Sequence, residues 1–235
     1  MNQTVFMLLA KSVYRDSYVM VLSVLLPVGL FLGVGAYQES QPFREQLLVG
    51  CILLSVMMGG LNTAGFWTMT QRKKGVFKLL KLSEFSLFKF IAFSVAARLL
   101  VFELIALLLL GAGYLAFGLT IGPFGLLAIL AMTLLALVCF HAIGFIIASR
   151  ADNEAQMNMS SNLAAFPMLF ASSAFYSLNN APEWVRVISR LNPLEYASAA
   201  GRNAMTAVAD VTPFAVLALL AAALSWLAVK TFRYE

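Results

Sequence analysis

Charge is what this chain has least of. Asp, Glu, Lys and Arg make up 11% of its 235 residues, too few to hydrate the surface of a soluble domain of that size. Histidine occurs once and cysteine twice. Cys51 and Cys139 each sit alone inside an apolar run, which leaves neither a disulfide framework nor a metal-ligand spacing, so no metal site is expected. There is no GxxxxGK(S/T) phosphate loop and no HExxH, GxSxG or CxxC, so the chain by itself lacks the means to hydrolyse a nucleotide or to build a familiar hydrolytic centre. A net charge of +5 would admit nucleic acid as a partner, but the basic residues fall in short loops beside apolar runs, where they orient helices instead.

What the chain has in abundance is apolar residues, 61% of the total, in runs long enough to cross a hydrocarbon core about 30 Å thick. Helical spans are expected at about 18–37, 47–67, 98–117, 124–148, 156–178 and 212–229, all within one transmembrane domain. A short amphipathic lead precedes them. The first span carries Pro27, Gly29, Gly33 and Gly35, which membrane helices tolerate where neighbours pack on the exposed backbone. Its apolar region exceeds that of a signal peptide, so it is read as an uncleaved span. The third run begins at Phe90, too early for a simple crossing. Its first third is therefore expected at the interface, with Arg98 snorkelling outward. The uncharged turn from Gly118 to Pro123 makes spans three and four a hairpin.

One long charged segment, Gln71 to Lys89, separates the second run from the third and holds six Lys and Arg: Arg72, Lys73, Lys74, Lys78, Lys81 and Lys89. At helical period Val76, Phe77, Leu79, Leu80 and Leu82 gather on one side while Lys74, Lys78 and Lys81 gather on the other, with Gly75 as a preceding turn. The pattern predicts an amphipathic helix over about 71–85 at the membrane surface, in contact with lipid. Residues 181–205 are too polar to span. Asn180 with Glu183, and Asn192 with Glu195, each set a capping residue three before a carboxylate, and Pro193 takes a first helical position. Two short external helices follow, the first with Trp184, Ile188 and Leu191 along one stripe. Eleven of the 16 basic residues fall on the side of the charged segment, which places that segment and both termini in the cytoplasm of a multi-pass inner or plasma membrane protein.

Polar groups inside the spans are functional candidates because an unpaired one is costly there. The hairpin brings Glu103 and His141 to similar depth, where a contact would serve as a proton relay or as a neutralised structural pair. Asn62, Thr63 and Phe66 in span two, and Asn158, Ser161 and Asn162 in span five, fall towards the cytoplasmic end. Were the two spans to face each other, these residues would form a polar vestibule closed on the outside by Phe170, Phe175 and Tyr176. The bland alternative is that they tie helices together.

In this order the elements resemble the membrane subunits of type-2 ABC exporters. The resemblance is carried by QRKKGVFKLLKLSEFSLFKF (Gln71 to Phe90), by GFIIASRADNEAQ (Gly144 to Gln156) and by APEWVRVISRLNPLEYASAAGRNAM (Ala181 to Met205), the last with Pro182, Trp184, Asn192, Pro193, Leu194 and Tyr196. It implies six spans, a coupling helix between spans two and three, and two re-entrant or interfacial helices between spans five and six. It also implies a homodimer, or a pair with a similar permease, on two separate ATPase subunits that bind the ATP and Mg. The Gly75 to Lys81 segment would dock on the ATPase, with Arg72, Lys73 and Lys74 standing where family members often carry a glutamate. Asn62, Phe66, Asn158, Asn162, Phe170 and Phe175 would lie along the path.

The favoured expectation is thus a non-catalytic permease that exports a hydrophobic or amphipathic drug, antibiotic or peptide. The alternatives are a proton-coupled secondary transporter using Glu103 and His141, and lipid or glycolipid export by the same ABC fold. An intramembrane enzyme is disfavoured because no nucleophile and base are recognisable.

Overall fold

The computed structural model describes residues 17–78, 87–179 and 181–232, and every regular element among them is helical. In chain order these are α1 (Ser17–Tyr37), α2 (Gln41–Met58), a π-helical turn (Gly59–Thr63), α3 (Ala64–Lys73), α4 (Leu87–Phe117), α5 (Pro123–Ala148), α6 (Glu154–Phe170), α7 (Glu183–Ser189), α8 (Pro193–Met205) and α9 (Thr212–Thr231). α2, the π turn and α3 run on as one rod of 33 residues, Gln41–Lys73. This rod, α4, α5 and α9 are each long and apolar enough to cross a membrane, and α1 is a further apolar helix, which makes this a multi-pass membrane protein.

Local sequence sets the helix starts. Pro123 opens α5 and Pro193 opens α8, both where an amide N–H would have no helical partner. Asn192 caps α8 by accepting from the Leu194 N–H at 3.0 Å. Asn153 caps α6 by accepting from the Gln156 N–H at 2.8 Å, while Gln156 Oε1 accepts from the Asp152 N–H at 2.9 Å, so the pair satisfies two amides reciprocally.

α5 is the hub, packed against the rod, α4, α8 and α9. Lipid tails are as apolar as the helices, so close side-chain and backbone contact must hold the bundle together. The tightest crossing joins the π turn to α5. A Cβ on Gly144 would stand 2.4 Å from the Gly60 carbonyl oxygen and 2.8 Å from that of Leu61, and one on Gly60 would stand 2.9 Å from the His141 amide nitrogen. Only hydrogen fits on either side.

The structure corrects four expectations. The third run is one unbroken helix from Leu87, and Arg98 does not snorkel: it is 1% exposed, with Nη1 donating to the Ser94 carbonyl at 3.1 Å and to Ser94 Oγ at 2.6 Å. The fifth run is helical only to Phe170, and 171–179 is irregular, because Asn192 Nδ2 donates to the Met168 and Ala171 carbonyls at 2.7 and 2.8 Å. Those bonds satisfy carbonyls that a continuing helix would have used. Glu195 does not complete a capping box with Asn192; its carboxylate accepts from Ser173 instead. α7 starts after Pro182 without a side-chain cap. Asn180, like Lys81 and the rest of 79–85 in the expected 71–85 helix, lies outside the described residues.

Candidate functional site

At the charged end, α3 runs out at Lys73 and the chain reverses through Lys74 and Gly75. Gly75 has φ +74°, a left-handed conformation open to glycine at little cost. A helical turn follows at 76–78, and Phe77 at its centre is 0% exposed. Its ring lies 5.1 Å from that of Phe90 on α4, 6.0 Å from Phe145 on α5 and 4.7 Å from Phe232 just past α9. Phe145 and Phe232 stack at 4.5 Å, and Phe90 stacks on Trp67 of α3 at 5.5 Å. One phenylalanine of the charged segment is thus held by rings from three other parts of the chain, with Trp67 backing Phe90. Lys73, Lys74 and Lys78 point away from this socket and are exposed.

Arg72 does a different job from its lysine neighbours. Its guanidinium donates to the Ser149 and Ala151 carbonyls at the C-terminus of α5, where orphan acceptors and the helix dipole favour a cation. Asp152 stands 4.0 Å away but is 85% exposed. Arg72 therefore fastens the charged turn to the α5–α6 loop, and the surface ion pair adds little. Arg72→Met is expected to lower stability by about 1.5–3 kcal/mol through the charged hydrogen bonds. Asp152→Asn should change it by less than about 1 kcal/mol, and thermal unfolding of the two variants in one detergent compares them directly.

The residues assigned to a path are distributed differently. Asn62 sits in the π turn, with Nδ2 donating to Met58 Sδ at 3.3 Å and Oδ1 buried without a partner. Phe66 packs beside Met69, Ala148, Ala151 and Met157. α6 meets the rod where Met157 covers Gly65. Asn162 Nδ2 donates to Asn158 Oδ1 at 3.1 Å along α6, so the two asparagines serve each other and neither bonds Asn62. Phe170 is 68% exposed, whereas Phe175 turns back onto Gly50 of α2. These aromatics do not close one gate within the protomer. Met159, Leu163, Phe166 and Phe170 form an open apolar face along α6, with Asn158 also exposed near its start.

Glu103 and His141 do not pair. Both ring nitrogens of the buried His141 and the Glu103 Oε2 lack hydrogen-bond partners, and the charge acting on the imidazole is Arg98. The Arg98 guanidinium in turn lies 5.5 Å from the Trp67 ring centre.

The opposite end is knotted around Ser173. Its N–H and Oγ donate to the Glu195 carboxylate at 2.5 and 2.9 Å, and its carbonyl accepts from Gln46 Nε2 at 2.8 Å and from Arg202 Nη1 at 3.0 Å. Gln46 belongs to α2 and the other two to α8, so the end of the fifth run, the rod and α8 share one polar node. Pro193 and Asn192 are buried under it, the Tyr196 hydroxyl donates to the Arg190 carbonyl at 2.8 Å, and Trp184 and Pro182 are exposed on α7. Beside the node, a cleft of about 470 Å³ opens between the α4–α5 turn and residues 203–211. Asp210 at its edge accepts the Thr212 N–H at 2.9 Å, which holds its carboxyl below the usual carboxylate range.

Phe145, Phe232, Ser173 and Gln46 were not picked out by the sequence. Asn153 and Gln156, by contrast, have the same three-residue spacing as Asn180–Glu183 and Asn192–Glu195, so the start of α6 is readable in the sequence.

The bundle of apolar helices, with short helices at one end and a firmly seated basic turn at the other, has the make-up of a multi-pass membrane protein. The sequence matches the family model described as ABC-2 type transporter over residues 3–206, and the chain belongs to that family as the membrane component of an ABC transporter. No curated protein matches the sequence.

Proposed function

We propose that this chain is the membrane subunit of an exporter driven by ATP that two separate ATPase chains bind with Mg and hydrolyse. The observation that carries the reading is the seating of the charged turn. Phe77 is held by Phe90, Phe145 and Phe232, while Lys73, Lys74 and Lys78 are presented outward. A partner that pushed on those lysines would move α4, α5 and the end of α9 together. The ABC-2 membership supports an ATPase as that partner, and the excess of basic residues at that end supports a cytoplasmic side for it and for both termini.

In this reading the chain crosses six times, with α6 and the irregular 171–179 segment as the fifth crossing and α7 and α8 outside. The open face of α6, from Asn158 to Phe170, meets a second permease copy or a similar permease. The path for a hydrophobic or amphipathic cargo such as a drug, antibiotic or peptide then runs between the two. The test is purification of the tagged chain from its native membrane with mild detergent. An ATP-binding protein should copurify, and Lys78→Glu should leave the assembly folded while cutting cargo moved per ATP at least fivefold. Full transport by the chain alone would refute the reading.

A further inference from the structure

Glu103 is left over by everything described so far. It lies sixteen residues after Leu87 and fourteen before Phe117 on the unbroken helix α4, which puts it about 24 Å and 21 Å from the two ends. That is well inside the apolar run of α4. The side chain is half-buried, Oε2 has no hydrogen-bond partner, and no charged or hydrogen-bonding group of the described chain acts on the carboxyl. Its neighbours on the helix surface are Leu100, one turn below, and Leu104 and Leu107 above, which are 66%, 63% and 42% exposed. Glu103 is therefore half-buried at the edge of an exposed leucine surface, with Oε2 on the buried side.

An ionised group at that depth costs several kcal/mol unless a counter-charge reaches it. Among the described residues none does. Arg98, on the same helix, is buried and engaged with Ser94 and Trp67, and no three His, Cys, Asp or Glu of the described residues gather as a metal would need. A hydrated cation has no polar route past the leucines. A cation that dissolves in hydrocarbon does, and for it a lone carboxylate in a low-dielectric setting is a strong partner.

We infer that Glu103 is a binding point for lipophilic organic cations that enter from the bilayer, with Leu100, Leu104 and Leu107 flanking the apolar part of the ligand. The inference deepens the export reading by naming a cargo class, and it rests on that reading for its consequence in transport. Binding itself requires neither ATP nor an ATPase.

The test uses the full chain in nanodiscs of zwitterionic lipid, with tritiated tetraphenylphosphonium as probe and tetraphenylborate as an anion of similar shape. Wild type should bind the phosphonium saturably. Glu103→Gln should weaken that binding at least tenfold, Glu103→Asp should keep it within about threefold, and neither variant should weaken tetraphenylborate. Gel filtration and thermal unfolding confirm that the variants fold. The inference is overturned by absent saturable binding to wild type, by Glu103→Gln binding within twofold of wild type, or by equal losses in both variants, which would mark a structural role. Failure here leaves ATP-driven export standing, and failure to find an ATPase would leave the binding result intact.

Discussion

Gly144→Ala is expected to be among the most damaging single-methyl additions to this protein. The new Cβ would stand 2.4 Å from the Gly60 carbonyl oxygen and 2.8 Å from the Leu61 carbonyl oxygen, and both obstacles are backbone. A flexible side chain can swing aside, but here α5 and the rod must separate. Overpacking typically costs about 1–3 kcal/mol, and a backbone obstacle belongs at or above the top of that range. For a chain of this size the upper figure corresponds to a fall in Tm of roughly 6–12 °C. In lipid the loss extends beyond the local strain, because helices pushed apart lose the close contact that holds them. Gly111→Ala is the control. Nothing lies within 4 Å of a Cβ there, and alanine is the better helix former, so stability should hold or rise slightly. Thermal unfolding of the two variants in one detergent checks the contrast; equal Tm values would show that the crossing is not as close as described.

Phe77→Ala should have the second large effect, and should have it twice. Removing a fully buried phenylalanine costs about 3–5 kcal/mol, including what its ring gains from Phe90, Phe145 and Phe232. The functional loss should exceed what that destabilisation explains, since Phe77 is the contact through which the basic turn reaches the spans. With the partner ATPase in proteoliposomes, cargo moved per ATP hydrolysed is expected to fall at least tenfold below the temperature at which the variant unfolds. Phe77→Leu fills the site without a ring and should recover much of the stability and part of the coupling. A Phe77→Ala protein that is merely less stable, with an unchanged ratio of transport to hydrolysis, would show that the socket is structural only.

Much of the architecture was legible in the sequence because the bilayer imposes length and polarity on whatever crosses it. The apolar runs mark α5 and α9 to within a few residues, while the rod, Gln41–Lys73, extends past both ends of the expected 47–67 and α4 begins at Leu87, well before the expected 98. Gly75 marks the turn, and Asn192 with Pro193 marks the start of α8. What escaped is what depends on rotation or on distant partners. A hairpin fixes depth but not facing, so Glu103 and His141 reach a similar level without touching. Arg98 resembles a snorkelling cation until Ser94 and Trp67 are placed beside it. The early end of α6 is written in Asn192, far along the chain from Met168. The socket draws on positions 77, 90, 145 and 232 among 19 phenylalanines, and no spacing singles those out.

The claim on which the account turns is that the outward lysines beside Gly75 are touched by a nucleotide-burning partner. A photo-activatable residue at position 74, exposed and clear of the socket, tests it most directly when the tagged protein is irradiated in its native membrane. One adduct carrying an ATP-binding chain is expected from position 74, and none when the same residue replaces the exposed Arg190 at the other end. Adducts from position 190 and none from position 74 would contradict it.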